Sequence, residues 1–191
     1  MKKVYLIHAW DSNSKECWYP WLKKHLEKKD FVVTVPDMPN TYHPKINEWV
    51  QKIKDIVDEP NEEVYLIGHS IGCQAIMRYL ENLPKRIKIG KVIFVAGWFD
   101  LLEKAYEDDY ENDKKILEPW IKTPIDFEKV KPHSDSFIVI NSSNDPYVDL
   151  SELKIFKEKL GAKGIILKGK EHFSEEDNFR EFPELLEEVL K

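Results

Sequence analysis

Cysteine is scarce in this chain of 191 residues: only Cys17 and Cys73 are present, too few for a disulfide framework and in no metal-ligand spacing. Glycine is sparse too, at seven, and the stretch HAWDSNS after the first apolar run contains none. That argues against a nucleotide-binding protein of flavodoxin type, whose phosphate loop needs glycine for close backbone approach. Basic charge is not in excess. The formal net charge is −6 and the pI about 5.6, and the lysines are interleaved with Glu and Asp rather than clustered, so a nucleic-acid surface is not expected. No run approaches the ~20 apolar residues of a membrane helix. The opening MKKVYLIHAWD carries two lysines and an apolar run too short for a signal-peptide core. A soluble, cytoplasmic protein is the expectation.

What is present is the composition of a folded α/β domain. Apolar residues make up 42% and charged residues 34%, and the length fits one domain over residues 1–191. Short runs recur at Val4–His8, Phe31–Val35, Val64–Gly68, Val92–Ala96, Phe137–Asn141 and Ile165–Leu167. VYLI, VIFV and FIVI are apolar on successive residues, as in strands covered on both faces. Between them Trp18–Lys29, Pro44–Glu59, Ile71–Leu83, Val148–Leu160 and Pro183–Lys191 repeat apolar residues at helical spacing, with Pro44 and Pro183 read as first-turn prolines. The pattern predicts a mainly parallel six-stranded sheet, helices on both faces, and the order 2-1-3-4-5-6. Ligands then bind at the carboxyl ends, near the switch between strands 1 and 3. The stretch 97–132 is irregular and reads either as a roof over that site or as a solvated excursion.

Chemistry concentrates at those carboxyl ends. Gly68-His69-Ser70-Ile71-Gly72 is a G-x-S-x-G turn between a buried strand and an amphipathic helix, the context in which serine serves as a nucleophile. Serine needs a base and a group to orient it. Of the six histidines, His172 in the loop after the sixth strand is best placed as base. His8 reads as a brace for the first loop, and His69 as too constrained to reach Ser70. His25, His43 and His133 read as surface residues. Asp145 ends the fifth strand and completes the order Ser, Asp, His, with Asp100 after strand 4 as the alternative acid. Ile71 N–H and Trp10 N–H are the candidate oxyanion donors. Trp10, Trp98 and Tyr147 are candidate pocket residues, and Trp18, Tyr19, Trp21 and Trp120 are further aromatics that could line an acyl pocket. No metal site and no cofactor fingerprint is read from the sequence.

The stretches HAWDSNSKECWYPWL, GHSIGC, NSSNDPYV and EHF together resemble the small serine hydrolase family named after a retinoblastoma-binding protein, a compact branch of the α/β-hydrolases. The resemblance runs nearly end to end and implies a Ser70, Asp145 and His172 triad. Two departures stand out: Ala9 where many hydrolases have glycine after the first-strand histidine, and Cys73 where a small residue is usual. The family name implies a pocket-protein partner read through Leu-x-Cys-x-Glu, but Cys17 is followed at that spacing by Tyr19 and Cys73 by Ala75. The protein partner is therefore unknown. The expected activity is hydrolysis of a small acyl substrate, an ester before an amide or thioester. The alternative is a catalytically silent binding or regulatory protein of the same fold.

Overall fold

The computed structural model describes residues 1–107 and 109–191. Six strands form one sheet: β1 Lys3–Ile7, β2 Val32–Thr34, β3 Val64–His69, β4 Lys91–Val95, β5 Phe137–Ser142 and β6 Lys163–Leu167. Every neighbouring pair is parallel and the order is β2-β1-β3-β4-β5-β6, as the alternation of strands and helices predicted. The helices are α1 Tyr19–Glu27, α2 Ile46–Ile56, α3 Ile71–Glu81, α4 Tyr110–Lys122, α5 Phe127–Val130, α6 Ser151–Leu160 and α7 Pro183–Leu190.

The unbroken apolar runs divide by residue parity between two cores. Val64 and Leu66 of β3 pack with Trp49, Ile53, Ile76, Leu117 and Phe156, beneath α2, α3, α4 and α6. Tyr65 and Ile67 pack with Trp18, Leu22, Leu26, Leu185 and Val189, beneath α1 and α7. Each fully buried aliphatic side chain contributes about 1.5–3 kcal/mol by leaving water. Loading both faces this way holds the central strands in one register, because a slip of one residue would exchange the two sets.

Several boundaries and burials differ from the sequence reading. α2 begins at Ile46, so Pro44 lies ahead of the helix, where its carbonyl accepts a 3.0 Å hydrogen bond from Trp120 Nε1. α6 begins at Ser151 because the preceding residues are held in turns, with Asp149 Oδ1 accepting from Ser151 N–H at 2.8 Å. His133, read as a surface residue, is buried at 1% exposure and donates from Nδ1 to the Ile87 carbonyl at 2.8 Å. Within the stretch 97–132, in which Asp108 lies outside the described residues, the chain forms a 3₁₀ turn at Glu103–Tyr106 and then α4 and α5. Buried Arg78 fastens it to α3: Nη2 donates to the Trp120 carbonyl at 2.8 Å, the Thr123 carbonyl at 2.7 Å and Gln74 Oε1 at 3.1 Å. A cation at the carboxyl end of α4 suits the helix dipole and satisfies carbonyls that have no partner within the helix. Among the described residues no helix is long and apolar enough to cross a membrane.

Candidate active site

Ser70 stands between β3 and α3 at φ 52°, ψ −120°, a conformation that L residues rarely adopt and that costs on the order of 1–3 kcal/mol. Two backbone bonds hold it there. Ser70 N–H donates to the Val95 carbonyl at 2.9 Å, and the Ser70 carbonyl accepts from Cys73 N–H at 2.9 Å. The flanking glycines are dictated by space. A Cβ at Gly68 would lie 2.7 Å from Cys73 N, and one at Gly72 would lie 2.4 Å from the Ile7 carbonyl oxygen. Cys73, the unusual residue after the turn, is fully buried, and burial pushes its thiol pKa up. It acts as a small apolar filler whose S–H reaches the Val95 carbonyl at 3.4 Å.

Asp145 and His172, on the loops after β5 and β6, meet directly. His172 Nδ1 lies 2.8 Å from Asp145 Oδ2 and 3.0 Å from Oδ1. A carboxylate only accepts, so Nδ1 carries the proton and a neutral ring presents Nε2 as acceptor. The Asp145 side chain is 0% exposed, and its Oδ1 also accepts from Tyr147 N–H at 2.9 Å and Val148 N–H at 3.1 Å. Asp100 is exposed and turns to its own loop, accepting from Leu101 N–H at 2.9 Å.

Two further acids, which the sequence reading passed over, shape these loops. Asp177 Oδ2 accepts from His172 N–H at 3.0 Å, Ser174 N–H at 2.9 Å and Ser174 Oγ at 2.8 Å, closing the turn that presents His172. Glu152, buried on α6 with its pKa raised by that burial, accepts from Phe99 N–H at 2.5 Å and fixes the loop after β4. The signal for Asp177 was present in the sequence: a Ser-x-x-Asp spacing commonly marks a side chain bonded to nearby backbone. Nothing local announced Glu152.

On the opposite wall, His8 sets the direction of one peptide. Its Nε2 accepts from Met38 N–H at 2.9 Å, so Nδ1 bears the hydrogen and donates to the Ala9 carbonyl at 2.7 Å. The Ala9 carbonyl and Trp10 N–H belong to one trans peptide, so gripping the oxygen aims the N–H the opposite way. The amides on either side are engaged, Ala9 N–H with Tyr19 Oη at 3.2 Å and Asp11 N–H with the Thr41 carbonyl at 3.1 Å. Among the described residues Trp10 N–H and Ile71 N–H have no such acceptor, and both residues line the cleft.

That cleft has a volume of about 300 Å³ and brings together Ser70, Ile71, His172, Trp10, Trp98 and Tyr147. Trp98 Nε1–H donates to Ser70 Oγ at 3.3 Å; among the described residues no hydrogen bond joins Ser70 Oγ to His172. Leu101, Lys104, Ala105, Asp113 and Leu117 complete one wall, so the described residues of the 97–132 excursion border the site. The other aromatics do not line the cleft. Trp18 and Tyr19 are 0% exposed in the core beneath α1 and α7, Trp21 stacks on His25 with centroids 4.0 Å apart, and Trp120 packs against Trp49. Trp18, Tyr19 and Trp120 are large apolar surfaces that fill the interior, and half-buried Trp21 packs against the core beneath α1 and α7. Among the described residues no group of three or more His, Cys, Asp or Glu is placed to hold a metal ion.

His69, inside the turn, is fully buried, and burial followed by the neighbouring His172 lowers its pKa from 6.5 to about 3. Within that window the unfolded chain binds the proton and the folded chain does not. The stabilisation is therefore present above pH 6.5 and is lost as pH falls. Between pH 6.5 and 4 this amounts to about 3 kcal/mol. Urea unfolding across that range is expected to show a stability decline that is shallower by about this amount in His69→Gln. Parallel declines in the two proteins would refute it.

With this geometry in place, comparison with known proteins gives the chain its relatives. The YdeN protein of Bacillus subtilis is 29% identical over 182 residues, covering 95% of this chain and 91% of its own length. The crystal structure of the ydeN gene product superposes with a TM-score of 0.89 over 100% of this chain and 97% of that one, at 28% identity. Serine hydrolase RBBP9 of Rattus norvegicus is 26% identical over 173 residues, 90% of this chain and 84% of its own. Est1E of Butyrivibrio proteoclasticus, solved with ferulic acid, shares the fold at a TM-score of 0.72 and 15% identity, over 100% of this chain and 90% of that one. The serine hydrolase family is matched over residues 4–191, and the chain belongs to that family of α/β-hydrolase-fold proteins.

Proposed function

We propose that this hydrolase cleaves small acyl esters through an acyl-Ser70 intermediate, with His172 as general base and acid and Asp145 as the group that orients it. The observation that carries the reading is the convergence on one cleft of a strained Ser70 and a His172 whose Nδ1–H is held by buried Asp145. Because Ser70 Oγ accepts from Trp98, its own hydrogen remains available to His172 Nε2, and such bonds commonly tighten only when substrate is bound.

In the first half-reaction Oγ attacks the ester carbon while Nε2 takes its proton. The carbonyl oxygen becomes an oxyanion beside Ile71 N–H and Trp10 N–H. The intermediate collapses with loss of the alcohol, which leaves with the proton from Nε2. Water then repeats the sequence, giving up a proton to Nε2 as it attacks the acyl carbon, and Ser70 recovers a proton as the acid departs. Asp145 holds the imidazole tautomer and stabilises its charged form at each stage. A cleft of about 300 Å³ is at the lower end of the ~300–1,000 Å³ range of ligand sites and favours short acyl groups. Amides and thioesters fall within the same chemistry, with esters the easier substrates.

A panel of p-nitrophenyl esters of graded acyl length tests this. A stopped-flow burst of one equivalent of nitrophenol per chain, fastest with the shorter acyl groups, is the expected outcome. A protein that turns over no ester and shows no burst would be a binding protein on the same fold.

A further inference from the structure

We propose that Tyr19 and His69 form a two-residue bridge that positions both the oxyanion loop and the loop carrying His172. This rests on the reading of the site given above. His69 Nε2 lies 2.8 Å from the His172 carbonyl oxygen, and His69 Nδ1 lies 2.7 Å from Tyr19 Oη. Tyr19 Oη in turn accepts from Ala9 N–H at 3.2 Å.

The direction of every bond in this chain follows from its ends. A carbonyl oxygen only accepts, so His69 Nε2 carries the hydrogen. In a neutral imidazole Nδ1 is then the acceptor, so the Tyr19 hydroxyl donates to it and takes the Ala9 amide on its oxygen. The sequence of donors is Ala9 N–H to Tyr19 O–H to His69 Nδ1, and from His69 Nε2–H to the backbone of His172. Burial and the adjacent His172 both oppose a charge on His69, which keeps its ring neutral with one donor and one acceptor; Ser12 and Cys17 also lie beside the Tyr19 hydroxyl. Tyr19 and His69 are each 0% exposed, so their mutual hydrogen bond is made away from bulk water.

The bridge joins the loops after β1 and β6, which are not neighbours in the sheet, through the end of β3. Ala9 N–H is one peptide away from Trp10 N–H, the proposed oxyanion donor, and the His172 carbonyl belongs to the residue proposed as base. His69 immediately precedes Ser70, and its ring contacts Trp18, Tyr19 and His172 at centroid distances of 5.7, 5.9 and 5.4 Å. Nucleophile, base and oxyanion donor are thus referred to one rigid centre on the α1 side of the sheet. Both ring nitrogens of His69 and the Tyr19 hydroxyl are engaged in the bridge, so the two act as positioning residues even though His69 borders the cleft.

The test measures kcat, KM and active-site titre by fluorophosphonate, together with the affinity of a trifluoromethyl ketone. The free ketone form of that inhibitor adds Ser70 Oγ at its carbonyl carbon, giving a hemiketal whose oxyanion lies against the donors. Tyr19→Phe keeps the ring and removes the hydroxyl. It is expected to lower kcat per titrated site by about tenfold or more, leave KM within about twofold, and weaken the ketone by a similar factor, since misplaced oxyanion donors act on the transition state. His69→Gln, whose amide nitrogen can still reach the His172 carbonyl, is expected to retain several-fold more kcat per site than His69→Leu. Only competent molecules titrate, so unfolded protein does not enter kcat; should Tyr19→Phe yield no competent protein, the His69 pair decides the matter. Wild-type values of kcat per site and ketone affinity in Tyr19→Phe, or equal values for His69→Gln and His69→Leu, would overturn the bridge. A wild-type protein that hydrolyses no ester would instead overturn the reading on which it rests.

Discussion

Ser70→Ala is expected to lose fluorophosphonate labelling entirely and to lower kcat by roughly 10⁵-fold or more. The basis is that the proposed reaction has no other group able to form the covalent bond, and removal of a catalytic serine in a triad has an effect of about 10⁶ elsewhere. The control against misfolding lies in the local geometry. Alanine keeps the Cβ, so the backbone at φ 52° is no more strained than before, and the bonds to Val95 and Cys73 are made by main-chain atoms. Trp98 Nε1 loses its acceptor, a stability cost of about 1 kcal/mol. Intact-mass spectrometry of wild type after probe treatment should show one adduct. An adduct that persists on Ser70→Ala would move the nucleophile elsewhere.

The second large effect separates two acids. Asp145→Asn keeps the shape of the carboxylate but places an amide opposite His172 Nδ1, which favours the wrong tautomer, and in a serine protease the corresponding change costs about 10⁴ in turnover. A loss of at least roughly a hundredfold in kcat is expected here. Asp100→Asn should change kcat by less than about tenfold, because Asp100 is exposed and engages Leu101 N–H rather than His172. The two variants differ in folding risk as well. Asp145 Oδ1 serves Tyr147 N–H and Val148 N–H, and an asparagine oxygen can keep those bonds if its amide nitrogen turns to His172. Circular dichroism on both variants precedes the kinetics. The reverse ranking in folded proteins would assign the acid to Asp100.

Much of this arrangement was legible in the sequence because it is encoded locally. Consecutive apolar residues in VYLI, VIFV and FIVI announce strands covered on both faces. Their alternation with helices, under the right-handed crossover rule, leaves few strand orders to choose from. Once the order is known, residues at the ends of β3, β5 and β6 must share one edge of the sheet, so Ser70, Asp145 and His172 could be placed near one another without coordinates. The glycines at 68 and 72 likewise marked a close approach that the Ile7 carbonyl and Cys73 backbone make explicit. The match over residues 4–191 agrees with the resemblance carried by the same motifs.

Other features were decided only by the tertiary structure. The burial of His133, the removal of Trp18 and Tyr19 from the cleft, and the placement of the described residues of 97–132 beside it depend on which faces of distant elements meet. Spacing along the chain does not report this. The tautomers of His8 and His69 depend on partners brought from far away: Met38 is 30 residues from His8, Tyr19 is 50 from His69, and the His172 carbonyl is 103 from His69. The sequence by itself determined the sheet, its order and the edge where chemistry collects, because apolar periodicity and turn residues act over a few positions. Hydrogen-bond direction in a buried site was left to the fold, because a donor is assigned only when its acceptor is in place.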